Sequence, residues 1–151
     1  MDENLARLNK IYPNGQFALI PKYNEEQWKD REYDSALDTK AAINKWKSKP
    51  LCYEEACKAV DEGYRIGWIV PKGYVVIDVD NGDDDRSQEY LERLLRKWEV
   101  KYSYNYTSRG IHILFKDPTE SIKSDSHTKC PINIMIDTRA NNTGYIILPC
   151  N

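Results

Sequence analysis

The sequence predicts an α+β fold built around a mostly antiparallel sheet, and three observations carry that expectation. Helical and extended patterns mix in the first 70 residues, then a strand and one long amphipathic helix follow. After that helix comes a run of short apolar or alternating segments separated by turn residues, with no alternating βαβ rhythm. At 151 residues the chain has the length of one ordinary domain with a single core, and 1–151 reads as one such unit.

The elements follow in chain order. Residues 2–10 predict a short helix, with Leu5 and Leu8 at helical spacing. Phe17 to Ile20 reads as a strand stopped by Pro21. Within the polar stretch 24–50, a helix is expected over 34–47, ended by Ser48-Lys49-Pro50. A second helix over 53–62 places Ala56, Ala59 and Val60 on one stripe, with Gly63 as its stop. Residues 65–70 form a strand, and Pro71-Lys72-Gly73 turns the chain into the strand 74–80, in an expected antiparallel hairpin. The strongest helix covers 84–98, where Leu91, Leu94, Leu95 and Trp98 fall at i, i+3, i+4 and i+7. Asp83, Asp84 and Asp85 sit at its start, where the helix dipole favours negative charge. Strands are then expected at 101–107, 111–115, 133–137 and 144–148.

Composition narrows the function classes. With 22 basic and 24 acidic residues the net charge is -2, which argues against a strongly basic nucleic-acid coat without excluding nucleic acid as substrate. Cys52, Cys57, Cys130 and Cys150 contain no CxxC pair and read as reduced thiols of an intracellular protein. His127 and Cys130 supply only two of the four ligands of a structural zinc site. The start of the chain lacks the basic-then-apolar pattern of a signal peptide, and no apolar run approaches the roughly 20 residues of a membrane span. A cytoplasmic protein with no membrane partner is expected.

Chemistry is concentrated in three segments. Tyr74 to Asp80 is an apolar strand carrying two carboxylates, Asp78 and Asp80, on one face, about 6.5–7 Å apart along the strand. Acids in that setting need a partner, and a divalent cation is a common one; a solvated strand end running into the acidic turn 81–85 is the plain alternative. The second segment, Thr107 to Phe115, puts His112 in an apolar strand behind Ser108 and Arg109. The third, Ile134 to Arg139, ends in Asp137 and Arg139, with the strand Gly144 to Leu148 behind it. Singly, a histidine in an apolar strand is usually a bonded core residue and an aspartate at a strand end usually caps a turn. Three carboxylates, one imidazole and two arginines suit metal-assisted phosphoryl transfer.

In this order and spacing the three segments resemble the archaeo-eukaryotic primase superfamily, in particular the N-terminal primase-polymerase (prim-pol) domain of phage and plasmid replication proteins. Residues 64–81 resemble the approach to that family's first motif, two acids separated by a hydrophobic residue. Residues 108–115 resemble its second motif, a strand with a nucleotide-binding histidine, and 136–139 with 144–149 resemble its third. The likeness covers about residues 60–149. It implies an RRM-like sheet joined to an N-terminal α/β unit, and a nucleotidyltransferase acting as a DNA primase and polymerase. It further implies that Asp78, Asp80 and Asp137 are catalytic and hold Mg2+ or Mn2+, and that His112, Ser108, Arg109 and Arg139 contact the nucleotide. Partners implied are a single-stranded DNA template, nucleoside triphosphates and a replicative helicase, fused or separate, in the host cytoplasm if the protein is phage-encoded. Relatives usually continue for some tens of residues past this point, so the chain reads as truncated or as part of a larger replication protein.

Where the superfamily's second motif usually has a small hydroxyl residue two before its histidine, Gly110 stands here with Ser108 two further back, and the resemblance to the prim-pol branch includes glycine at that place. Two other functions stay open at this point. A metal-dependent nuclease would direct the acids at water. A non-catalytic single-stranded nucleic-acid-binding module would rely on Tyr102, Tyr104 and Tyr106 for stacking.

Overall fold

A computed structural model describes residues 2–22, 41–81, 86–107, 109–130 and 132–148. It is α+β, with three helices and eight strands among the described residues, and every strand pairing is antiparallel. The chain divides into two compact units: residues 1–69 with 145–151, and residues 70–144.

The first unit begins with α1 (Glu3–Ile11), whose N-cap Asp2 accepts the Leu5 amide at 3.0 Å and whose Leu5 is fully buried. Its sheet contains β1 (Phe17–Ile20), β2 (Arg65–Ile69) and the late strand β8 (Tyr145–Ile147), in the order β1-β2-β8. Helix α2 (Tyr53–Asp61) buries Ala56 and Ala59, and Glu55 closes its start by accepting the Cys52 amide at 2.9 Å. Gly67 of β2 lies under the Tyr145 ring, where a Cβ would come within 2.5 Å of the ring carbon Cδ2. Trp46 meets the same ring edge-on at 5.4 Å.

Two expectations fail in this unit. The helix over 34–47 does not extend through its second half: residues 41–47 form bends and turns, and 34–40 lie outside the described residues. Asn44 explains the difference, because its side chain accepts the Leu19 amide at 2.9 Å and donates to the Lys49 carbonyl at 3.0 Å. Such side-chain bonds to the backbone compete with the helical ladder. The hairpin between 65–70 and 74–80 is also absent. β2 already has β1 and β8 on its two edges, and the next strand belongs to another sheet.

The second unit is a five-stranded sheet of order β4-β5-β3-β7-β6 with one helix. Its strands are β3 (Tyr74–Asp80), β4 (Ser103–Tyr106), β5 (Gly110–Lys116), β6 (Asp125–Lys129) and β7 (Met135–Ala140), and its helix is α3 (Ser87–Lys97). β3 is central, paired with β5 along its whole length and with β7 over Val75–Asp78. Val79 joins Leu91, Leu95, Ile111, Ile113 and Ile134 in the core, so α3 packs on the face that carries Val75, Ile77 and Val79. Burial of Leu91 and of Leu95 stabilises by about 1.5–3 kcal/mol each. The acids Asp78 and Asp80 therefore occupy the face away from α3. Strand β6 was not expected from the sequence pattern.

Candidate active site

Register alone assembles the site. In an antiparallel pair, directly opposed residues share a face and stand about 4.5–5.5 Å apart. Asp78 of β3 is opposed by His112 on β5 and by Asp137 on β7. The three motifs thus form one row, Asp137–Asp78–His112, across three neighbouring strands. Asp80 opposes Gly110 one step further along β3, and Arg139 opposes Val76 one step back.

The side chains within the row differ in their partners. His112 Nε2 lies 3.4 Å from Asp78 Oδ2, and both side chains are mostly enclosed. The other oxygen of that carboxylate, Asp78 Oδ1, is buried with no hydrogen-bond partner. Asp80 pairs with Arg109 at 2.5 Å, with both side chains about half exposed. Asp137 pairs with Arg139 at 3.2 Å and also accepts the His127 amide at 2.7 Å. Ser108 lies outside the described residues.

The side chains of Thr107 and Asn81 set the ends of β5 and β3. Thr107 Oγ1 accepts the amides of Arg109 at 3.3 Å and Gly110 at 2.9 Å, fixing the turn into β5. Asn81 accepts the Gln88 amide at 3.1 Å and donates to the Gln88 side chain at 3.0 Å, capping α3 from the end of the acid-bearing strand. Gln88 reaches Glu92 at 3.3 Å, and Glu92 accepts the Tyr106 hydroxyl at 2.9 Å. The Glu92 carboxylate beside it raises the Tyr106 pKa.

Gly110 has a steric cause. A Cβ at that position would overlap the Val79 carbonyl, so the close approach of β5 to β3 beside Asp80 requires glycine. The tyrosines are placed elsewhere. Tyr104 opposes Ile113 and Tyr106 opposes Ile111, on the face that packs α3 rather than the face of Asp78 and His112.

A family profile described as bifunctional DNA primase/polymerase, N-terminal, matches residues 10–151. The chain belongs to the prim-pol family. The match takes in every strand of both sheets and all three motifs. Comparisons with curated proteins and with solved structures each returned no match. A prim-pol domain implies a DNA template and nucleotides as substrates. No described helix of this one is long and apolar enough to cross a membrane.

The carboxylates of Asp78 and Asp137 in the row suit a hard divalent cation, which takes oxygen ligands. Asp78 Oδ1 is a buried, unpartnered acceptor at its centre. Among the described residues no three His, Cys, Asp or Glu side chains are gathered into a ready metal cluster. Asp80 is joined to Arg109 and Asp137 to Arg139 by ion pairs.

Residues outside the three motifs were missed. Nothing in Asp125-Ser126-His127-Thr128-Lys129 alternates between apolar and polar, so β6 and its amide on Asp137 left no pattern to find. Asn81 read only as a turn residue, because it stands six residues before the first residue of α3 and the sequence signal for a cap lies immediately before a helix.

Proposed function

We propose that this prim-pol domain joins nucleotides on a single-stranded DNA template by metal-dependent nucleotidyl transfer. The observation that carries the proposal is the row Asp137–Asp78–His112, set by strand register on one face of the sheet, with the unpartnered Asp78 Oδ1 inside it. Asp78, Asp80 and Asp137 would hold Mg2+ or Mn2+. When bound, such ions neutralise the charge that develops on the attacking and leaving oxygens of an in-line displacement.

The chain's own groups account for the rest. His112, enclosed beside Asp78, contacts the phosphates of the incoming nucleotide, and Ser108 stands in the same motif. Arg109 is half exposed and joined to Asp80 by an exposed ion pair; such pairs are worth at most about 1 kcal/mol. Its guanidinium can therefore exchange Asp80 for a triphosphate at small cost. In this reading a 3′-hydroxyl attacks the α-phosphate and pyrophosphate leaves. The setting is phage or plasmid DNA replication beside a replicative helicase, fused or separate, as the family resemblance implies.

The test is incorporation of labelled nucleotides on single-stranded DNA with Mg2+ or Mn2+. Asp78→Ala is expected to abolish it while the circular dichroism spectrum stays unchanged. Equal incorporation by wild type and Asp78→Ala overturns the proposal. Shortening of a labelled strand without added nucleotides identifies a nuclease instead.

A further inference from the structure

The two arginines of the site are held in opposite ways. Arg109 is 53% exposed and meets Asp80. Arg139 is 26% exposed and is anchored on several sides. Its Nη1 donates to the carbonyls of Asp125 at 2.9 Å and Thr138 at 2.8 Å. Its Nη2 serves Asp137 at 3.2 Å and the Ser126 hydroxyl at 3.4 Å. Both terminal nitrogens are thus committed to the β6–β7 hairpin, and turning to a triphosphate would leave two carbonyls without this donor.

The same hairpin holds the other side of Asp137. Pairing of β6 with β7 shifts register between Asp125 and Thr128, and His127 within that irregularity adopts φ 57°. An irregularity of this kind re-aims the backbone. Here it directs the His127 amide at Asp137 Oδ1, while Arg139 takes Oδ2. A carboxylate has about four lone-pair sites, so each oxygen keeps capacity for a cation while the plane of the carboxylate is fixed. Hydrogen-bonded partners behind a ligating carboxylate orient it and strengthen the site.

We infer that Arg139, together with the β6 irregularity at Ser126 and His127, is a positioning device that presents Asp137 to a divalent cation, and that it is not a triphosphate ligand. This rests on the metal-binding reading above. The sign of the effect separates it from simple charge competition: a cation that merely repels the metal gives tighter binding when removed, and an orienting group gives weaker binding.

The experiment measures Mn2+ binding without nucleotide, from the free-ion electron paramagnetic resonance signal. The proteins are wild type, Arg139→Ala, Asp137→Ala and the double variant, with nucleotide KM and kcat taken in parallel. Arg139→Ala is expected to weaken Mn2+ binding by about 10–100-fold and to lower kcat with little change in KM. In the Asp137→Ala background the same change is expected to add nothing, because the group it orients is gone. Arg139→Lys, which keeps the charge without the fork, tests the same direction should Arg139→Ala fail to fold. Unchanged or tighter Mn2+ binding in the Arg139 variants, or a raised KM alone, overturns this inference and leaves the proposed function standing. Absence of Mn2+ binding by the wild type overturns the metal-binding reading and this inference with it.

Discussion

At the scale of single residues, the site depends on what stands opposite what. Asp78, His112 and Asp137 are far apart in sequence, and each belongs to a motif legible from the residues alone, because an acid or a histidine inside an apolar strand is conspicuous. Their registration into one row was not legible, since register is set by pairing partners that the sequence does not state. Nor was the engagement of Asp80 and Asp137 by arginines, which depends on side-chain reach. Gly110 is a steric requirement of the strand pairing. Gly110→Ala is expected to destabilise the fold by about 1–3 kcal/mol, because the added methyl must push β5 off β3. The midpoint of urea unfolding, monitored by tryptophan fluorescence, measures this, and an unchanged midpoint contradicts it.

At the scale of elements, legibility followed periodicity. Helix α3 was expected over 84–98 and spans Ser87–Lys97, because four apolar residues at helical spacing leave little choice. Two of the strands bearing the motifs were placed closely by their apolar runs, whereas the third, expected over 133–137, spans Met135–Ala140, so Asp137 lies inside the strand and not at its end. β6 escaped because it is a polar edge strand that buries almost nothing, and residues 41–47 departed from helix because Asn44 bonds the backbone. The expected pairing of β2 with β3 failed on topology, for a short turn with glycine suits a hairpin locally but neither edge of β2 is open. Asn81 joins two of these elements, since its side chain caps α3 from the end of the acid-bearing strand. Asn81→Ala is expected to cost about 1 kcal/mol of stability and to lower nucleotide incorporation as the end of β3 loosens. Thermal unfolding and the incorporation assay read these together, and a variant unchanged in both contradicts the assignment.

At the scale of the whole molecule, the α+β class and the antiparallel sheet were readable from element order, while the assignment of strands to two sheets was not. Nothing in Gly144 to Leu148 reveals that its strand pairs with β2 in the first unit. Acid sensitivity is a property of the second unit as a folded body. Asp117 is buried, and its pKa is held below the ordinary aspartate value chiefly by the Ile122 amide, with Asn141 and Thr119 adding to the effect. A depressed folded-state pKa contributes stability above the unfolded value, and that contribution is lost as pH falls through the folded one. The urea midpoint is therefore expected to fall as pH drops below about 5 and on through the depressed folded-state pKa, and Asp117→Asn is expected to show a shallower fall. Parallel pH profiles for the two proteins contradict that assignment.

The split of the first unit between residues 1–69 and 145–151 has a consequence for birth on the ribosome. Translation delivers all five strands of the acid-bearing sheet before it delivers Tyr145–Ile147, the third strand of the smaller sheet. The inner unit is contiguous and complete when Gly144 emerges. The outer one waits with one edge of β2 unfilled until the chain returns to it, so the part of the molecule that carries the chemistry is the part that can finish folding first.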